Sequence, residues 1–198
     1  MRKGLILAFC FAVLLVAPTA LRADPINLIT NGGFETGDFT GWTVGYAISN
    51  SDVNWYGIPH SGNYAAEFGQ ATEYYDSLSQ TLTTDAGSNY TLSIWLYNSP
   101  GSSPITVDNA DFQVWYDGVS IADINGGNTI DQNGYINLDF DLHGTGSDTV
   151  LFEGYDAPSY YNLDDVSFTA TPEPSSLLLL GSGLLSLAGL LRKRLAAF

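Results

Sequence analysis

The run Tyr135-Ile-Asn-Leu-Asp-Phe-Asp-Leu142 changes between apolar and polar at every step. Ile136, Leu138, Phe140 and Leu142 fall on one side, Asn137, Asp139 and Asp141 on the other. A period of two marks a strand with one face on a core and one in water. Tyr90-Thr-Leu-Ser-Ile-Trp-Leu-Tyr97 repeats the pattern, with Leu92, Ile94 and Leu96 opposite Trp95 and Tyr97. Phe112-Gln-Val-Trp-Tyr116 does so again, with Gln113 and Trp115 opposite Phe112, Val114 and Tyr116. Further strands are expected near 26–30, 42–48, 64–68, 78–83, 148–153 and 162–169, separated by Gly, Asn, Asp, Ser and Pro. Asp117-Gly118 and Asn133-Gly134 are turn pairs. No sustained helical periodicity interrupts this middle region, so an all-β domain is expected over residues 24–170. At that length it can bury a core without disulfides.

Charge divides the chain more sharply than hydropathy does. The six basic residues are Arg2, Lys3 and Arg22 at one end and Arg192, Lys193 and Arg194 at the other. Of the 21 acidic residues all but Glu173 lie between Asp24 and Thr171, so 20 carboxylates share that segment with no Lys or Arg. Nucleic acid is excluded as a partner, because phosphates need a basic patch. Side-chain salt bridges to Lys or Arg are equally closed to the domain. A divalent cation is the natural partner for carboxylates held together. Cys10 is the only cysteine and lies in a segment expected to be removed, which closes disulfide, thiol and Cys-zinc chemistry.

Both ends read as addresses. Arg2 and Lys3 precede the apolar run Leu5 to Val16, and small residues follow to Ala23. That order is a secretory signal peptide over residues 1–23, engaging the Sec machinery and signal peptidase. Cleavage is expected after Ala23, or after Ala20. At the other end Pro172-Glu173-Pro174 opens residues 171–198. Ser175 to Leu191 is then uncharged for 17 residues, and Arg192-Lys193-Arg194 closes it. As a helix that stretch is roughly 25 Å long, the lower edge of a transmembrane span. The basic cluster behind it is expected to stay cytoplasmic. A buried core helix is the competing reading, but the stretch has no polar face.

Pro-Glu-Pro, a Leu/Gly-rich span and Arg-Lys-Arg, in that order, resemble the PEP-CTERM sorting tail. The resemblance implies an inner-membrane-anchored precursor, cleavage near Pro172-Glu173-Pro174 by an exosortase, and a Gram-negative host that makes extracellular polysaccharide. It also implies delivery to the cell surface, extracellular matrix or biofilm.

A second resemblance runs through the middle. Asn31-Gly-Gly-Phe-Glu-Thr-Gly-Asp-Phe-Thr-Gly-Trp42, Ser61-Gly-Asn-Tyr-Ala-Ala66, Leu78-Ser-Gln-Thr-Leu82 and Asn162-Leu-Asp-Asp-Val-Ser-Phe168 follow one another. Together they resemble the galactose-binding-domain-like jelly roll of several carbohydrate-binding modules. That fold implies a β-sandwich of two antiparallel sheets with first and last strands adjacent. It also implies a structural Ca²⁺ shared by Glu35 and the pair Asp164-Asp165. Alternation puts Asp164 on the face of Val166 and Phe168 and Asp165 on that of Leu163, leaving open which aspartate coordinates. Alternatively, Glu35 caps backbone N–H groups and the aspartates form a rim. Asp123 to Gly134 has a faint calcium-loop flavour but lacks EF-hand spacing, and a turn-rich connector is expected there.

Sugar-binding faces combine an aromatic platform with amides and carboxylates. Trp95, Tyr97, Gln113, Trp115, Asn137 and Asp139 all point away from the aliphatic faces of their strands, which suggests such a platform on one sheet for extracellular polysaccharide. Trp55 and Tyr56 with Tyr74 and Tyr75 are a loop alternative, Trp95 is equally at home in packing, and Trp42 is expected in the core. His60 and His143 are the only histidines in this domain, and no nucleophile elbow, HExxH, Walker-A or dinucleotide fingerprint occurs. A non-catalytic binding module is therefore expected. A structural matrix protein is the alternative, and a glycoside hydrolase using two of the many carboxylates is a remote one.

Overall fold

The computed structural model describes residues 25–45, 53–54, 58–69, 75–99, 110–125, 134–156, 159–171 and 181–186. Residues 1–23, read as an export signal, Pro172-Glu173-Pro174, Arg192-Lys193-Arg194, Trp55, Tyr56 and Tyr74 lie outside the described residues.

Among the described residues ten strands make two five-stranded sheets in which every pairing is antiparallel. They are β1 (Thr43–Val44), β2 (Val53–Asn54), β3 (Ala65–Phe68), β4 (Asp76–Thr83), β5 (Asn89–Ser99), β6 (Ala110–Tyr116), β7 (Val119–Asn125), β8 (Ile136–His143), β9 (Ser147–Asp156) and β10 (Tyr160–Ala170). Sheet I has the order β2-β3-β10-β5-β8 and sheet II the order β1-β4-β9-β6-β7. Alternation sends one face of each sheet inward. Leu92, Ile94, Leu96, Leu163 and Phe168 of sheet I are fully buried, as are Phe112, Val114, Val150 and Phe152 of sheet II. Trp42 joins them, with its ring 6.0 Å from that of Phe152.

The run that opened the sequence reading is β8, and its alternation holds at every residue. Its apolar side is only half-buried, because β8 lies at the edge of sheet I with β5 as its single neighbour. Residues 26–30 make no named strand. They form an isolated bridge, Asn27 to Thr169, and the Leu28 N–H donates to the Phe168 carbonyl at 2.9 Å. First and last segments are therefore adjacent. β7 ends in what reads as turn-rich sequence, and Asp123 to Asn125 belong to it.

β10 corrects the alternation drawn for the aspartates. Its pairing with β5 shifts register between Asp164 and Ser167, and Asp165 has a φ of 47°. This bulge inserts a residue, so Leu163, Val166 and Phe168 all point inward while Asp164 pairs with Trp95 on the outer side. The segment ahead of Glu35 fits against that bulge. Val166 N–H donates to the Gly32 carbonyl at 3.0 Å, and a Cβ on Gly32 would lie 2.0 Å from the Val166 carbonyl oxygen. Only glycine permits that approach.

In the tail, residues 181–186 form one short exposed helix. Among the described residues no helix is long and apolar enough to cross a membrane. Most of the expected span, 175–191, lies outside them.

Candidate functional site

The six expected sugar-site residues do not form one platform. Trp95, Tyr97, Asn137 and Asp139 lie on the outer side of sheet I, whereas Gln113 and Trp115 lie on the outer side of sheet II. Alternation within each strand was right. What separates them is that β5 and β6, consecutive in the chain, belong to different sheets.

On sheet I the aromatics close on one another. The His60 ring stacks on Trp95 with centroids 3.7 Å apart and planes 14° from parallel. Tyr135 meets His60 edge-on at 5.3 Å and Tyr97 at 5.4 Å, and Tyr97 is buried. Asn137 spends its amide on its own sheet, donating to Ser93 Oγ at 2.8 Å and to the Ile94 carbonyl at 3.2 Å. Asp139 is exposed, opposite Ser93.

Three carboxylates hold His60 and its neighbours over Trp95. Glu35 Oε1 accepts the backbone N–H groups of Asn63 and Tyr64 at 2.7 and 2.9 Å, and Oε2 accepts Asn63 Nδ2 at 3.2 Å. The Asn63 N–H bond is the main cause lowering the Glu35 pKa. Asp164 Oδ2 accepts the N–H groups of His60 and Ser61 at 2.8 and 3.0 Å, and Oδ1 accepts that of Asp165 at 2.7 Å. Burial nevertheless pushes Asp164 up to about 6. Asp165 Oδ2 lies 2.7 Å from His60 Nδ1, and Oδ1 accepts the Ser61 hydroxyl at 2.8 Å. Gly62, at φ 65°, lies under the Glu35 carboxylate, where a Cβ would come within 2.4 Å of its Cδ.

Glu35, Asp164 and Asp165 thus converge on one loop, as the resemblance implied. Their donor chemistry suits a hard cation, oxygen atoms only. Every one of those oxygens already accepts a donor, however, and among the described residues no group of three or more His, Cys, Asp or Glu is arranged to hold a metal.

The outer side of sheet II is different. Across it the register aligns Ser77, Glu153, Gln113 and Asp123, one from each of β4, β9, β6 and β7. Beside that row the half-buried Trp115 is flanked by Leu151 and Ser120. On its other side Tyr155 pairs with Asp111, and the Tyr75 ring packs edge-on against Tyr155 at 5.0 Å. Asp111 Oδ2 accepts the Tyr75 hydroxyl at 2.7 Å and the Gln113 amide at 2.9 Å. Burial raises the Glu153 carboxyl. The Trp115 indole N–H is buried without a partner. Here, then, are aromatic rings alternating with amide, hydroxyl and carboxylate groups on one surface. Sequence reasoning missed Asp111, Glu153 and Tyr155. The alternation of Val150-Leu-Phe-Glu-Gly-Tyr155 marks Glu153 and Tyr155 as outward, but only the pairing of β9 with β6 puts them beside Trp115.

Residues 170–194 match the PEP-CTERM protein-sorting motif. A PEP-CTERM tail marks a protein sorted to the cell surface after export. No curated protein matches the chain by sequence. Solved structures resemble its sandwich. TmCBM61, in complex with β-1,4-galactotriose, is 20% identical with a TM-score of 0.56, over 74% of this chain and 99% of that one. The CBM22-1 xylan-binding domain of Paenibacillus barcinonensis Xyn10C is 19% identical with a TM-score of 0.55, over 75% and 97%. A Stig cyclase, Fisc from Fischerella sp. TAU, is 17% identical with a TM-score of 0.52, over 75% and 98%. The chain therefore shares the jelly-roll sandwich fold of these structures. A fold shared with a cyclase does not by itself name an activity.

Proposed function

We propose that this PEP-CTERM protein is an exported, exosortase-processed surface or matrix protein of a Gram-negative bacterium whose sandwich binds extracellular polysaccharide on the outer side of sheet II. The observation that carries the reading is Trp115 beside the row Ser77, Glu153, Gln113 and Asp123, with Tyr155 and Tyr75 at its flank. A pyranose packs its C–H face on an indole, and amide and carboxylate groups at the rim accept and donate to its hydroxyls. Before processing, the tail holds the precursor at the inner membrane.

Charge narrows the glycan. Asp111, Asp123 and Glu153 surround the platform in a segment without Lys or Arg, so a uronate or sulfated chain would be repelled. A neutral or amine-bearing polysaccharide is accepted. We read the domain as non-catalytic. His60 and Ser61 are adjacent, yet both engage Asp165, so the hydroxyl is not presented to the imidazole as a nucleophile to its base.

A structural calcium at Glu35, Asp164 and Asp165 is a subsidiary proposal. It is supported by three carboxylates meeting on one loop, and the ion would have to displace Ser61 and His60 from Asp165. A structural matrix role is the second reading, favoured by the 20 carboxylates that calcium could bridge between chains.

Affinity electrophoresis tests the main reading. The wild-type domain should be retarded in gels containing the producing organism's neutral or amine-bearing polysaccharide and not in alginate. Trp115→Ala should lose at least tenfold in affinity, about 1.4 kcal/mol. Equal retardation of Trp115→Ala and wild type would overturn the assignment, and calcium-dependent self-association without any retardation would favour the matrix role.

A further inference from the structure

Buried polar atoms without partners are rare in folded proteins, and each asks for a ligand, a water or a proton. Three of them lie at inward-facing positions at one end of the sandwich. Asn98, near the end of β5, pairs with Tyr161, near the start of β10, and both point inward with Leu96 and Leu163. Asp156, the last residue of β9, points inward from sheet II along with Phe152 and Gly154. The Tyr161 ring lies 5.4 Å from that of Phe112, whose strand pairs with the end of β9. Relative exposures are 3% for Asn98, 4% for Asp156 and 0% for Tyr161. Among the described residues Asn98 Oδ1, Asp156 Oδ2 and the Tyr161 hydroxyl all lack a hydrogen-bond partner. After burial itself, Asp156 is the leading charge acting on the Tyr161 phenol, and the Asn98 side chain faces that phenol.

We propose that Asp156 Oδ2, Asn98 Oδ1 and the Tyr161 hydroxyl form a buried site for one hard cation, separate from the three carboxylates that hold the His60 loop. All three are oxygen ligands, the donor type that calcium and sodium select. A single ordered water could also bridge two acceptors and a hydroxyl. Charge decides between them. Asp111 is buried at the same end of the sandwich with an oxygen that has no partner among the described residues, and no Lys or Arg occurs between residues 24 and 171. Water hydrates such a carboxylate but leaves its charge uncompensated in a low-dielectric interior. This inference stands whether or not sheet II binds sugar.

Equilibrium dialysis with radioactive calcium at pH 7.5, and ²³Na relaxation in parallel, test it on the signal-free full domain. Asp156→Asn should lose one bound cation per chain, or weaken it more than tenfold, on the scale seen when a ligand shell is broken. Tyr161→Phe keeps the packing and should weaken the same ion severalfold. Glu35→Gln should leave that ion in place, which separates this site from the loop carboxylates. The calcium and sodium arms report which cation is held. Cation binding by Asp156→Asn and Tyr161→Phe equal to wild type, or no bound cation in any form, would mean an ordered water only and overturn the proposal.

Discussion

The two outward faces of the sandwich start from the same sequence device and end differently. Trp95 on β5 and Trp115 on β6 each stand opposite a buried apolar row. On sheet I a loop crosses the tryptophan, and carboxylates from the first segment and from β10 fasten that loop down. On sheet II the described residues place polar side chains beside Trp115 instead of a stacked ring. One indole is therefore packing and the other carries the proposed recognition, and strand-level alternation alone does not distinguish them. The surroundings do.

The largest expected effect breaks the comparison on the packed side. Trp95→Ala removes a ring stacked at 3.7 Å on His60 and should destabilise the domain by about 3 kcal/mol in urea unfolding. It should leave polysaccharide affinity within about twofold once the protein is folded. A loss of affinity as large as that of Trp115→Ala would show that sheet I carries the site.

Smaller effects sharpen the account of what fastens the loop. Glu35 is exposed, so Glu35→Gln should cost about 1 kcal/mol, the usual worth of such hydrogen bonds. With calcium bound as proposed, a chelator should lower the melting temperature of the wild type by more than that of Glu35→Gln. A wild-type melt indifferent to chelator would leave these carboxylates as fasteners of the loop alone.

The subtlest effect is on pH. Burial pushes Asp156 and Asp164 up to about 6, above the ordinary value of about 3.9 in an unfolded chain. Between those values the folded state binds protons that the unfolded state has released, so stability falls as pH rises from about 4 to about 6. Asp148 acts the other way. Burial opposes its ionisation, but bonds from Thr145 and Thr84 hold it at about 2, and its contribution is lost as pH drops below about 4. In chelator, melting temperature should peak near pH 4, at about the ordinary carboxylate value, and Asp156→Asn should flatten the decline above it. A profile rising steadily from pH 4 to 7 would contradict the burial of these two groups.

Much of this was legible in the chain. Periodicity of two placed nearly every inward residue of β5, β6 and β8, because a pleated strand offers no other register once one face is buried. The order of the four motifs anticipated that Glu35 and Asp164-Asp165 would meet. The bulge at Asp165 was not legible, since an inserted residue breaks alternation without changing composition, and it reversed the faces drawn for the aspartates. Nor was the sheet to which each tryptophan belongs. That depends on pairings between β5 and β10 and between β6 and β9, which are far apart in sequence. The same distance hid Glu153 and Tyr155.

The central claim is that sheet II, not sheet I, meets the glycan. The most direct measurement follows the indole ¹H–¹⁵N resonances of the four tryptophans during titration with the polysaccharide. The Trp115 signal should shift progressively to saturation while that of Trp95 stays in place. Movement of Trp95 with Trp115 unmoved would contradict the account.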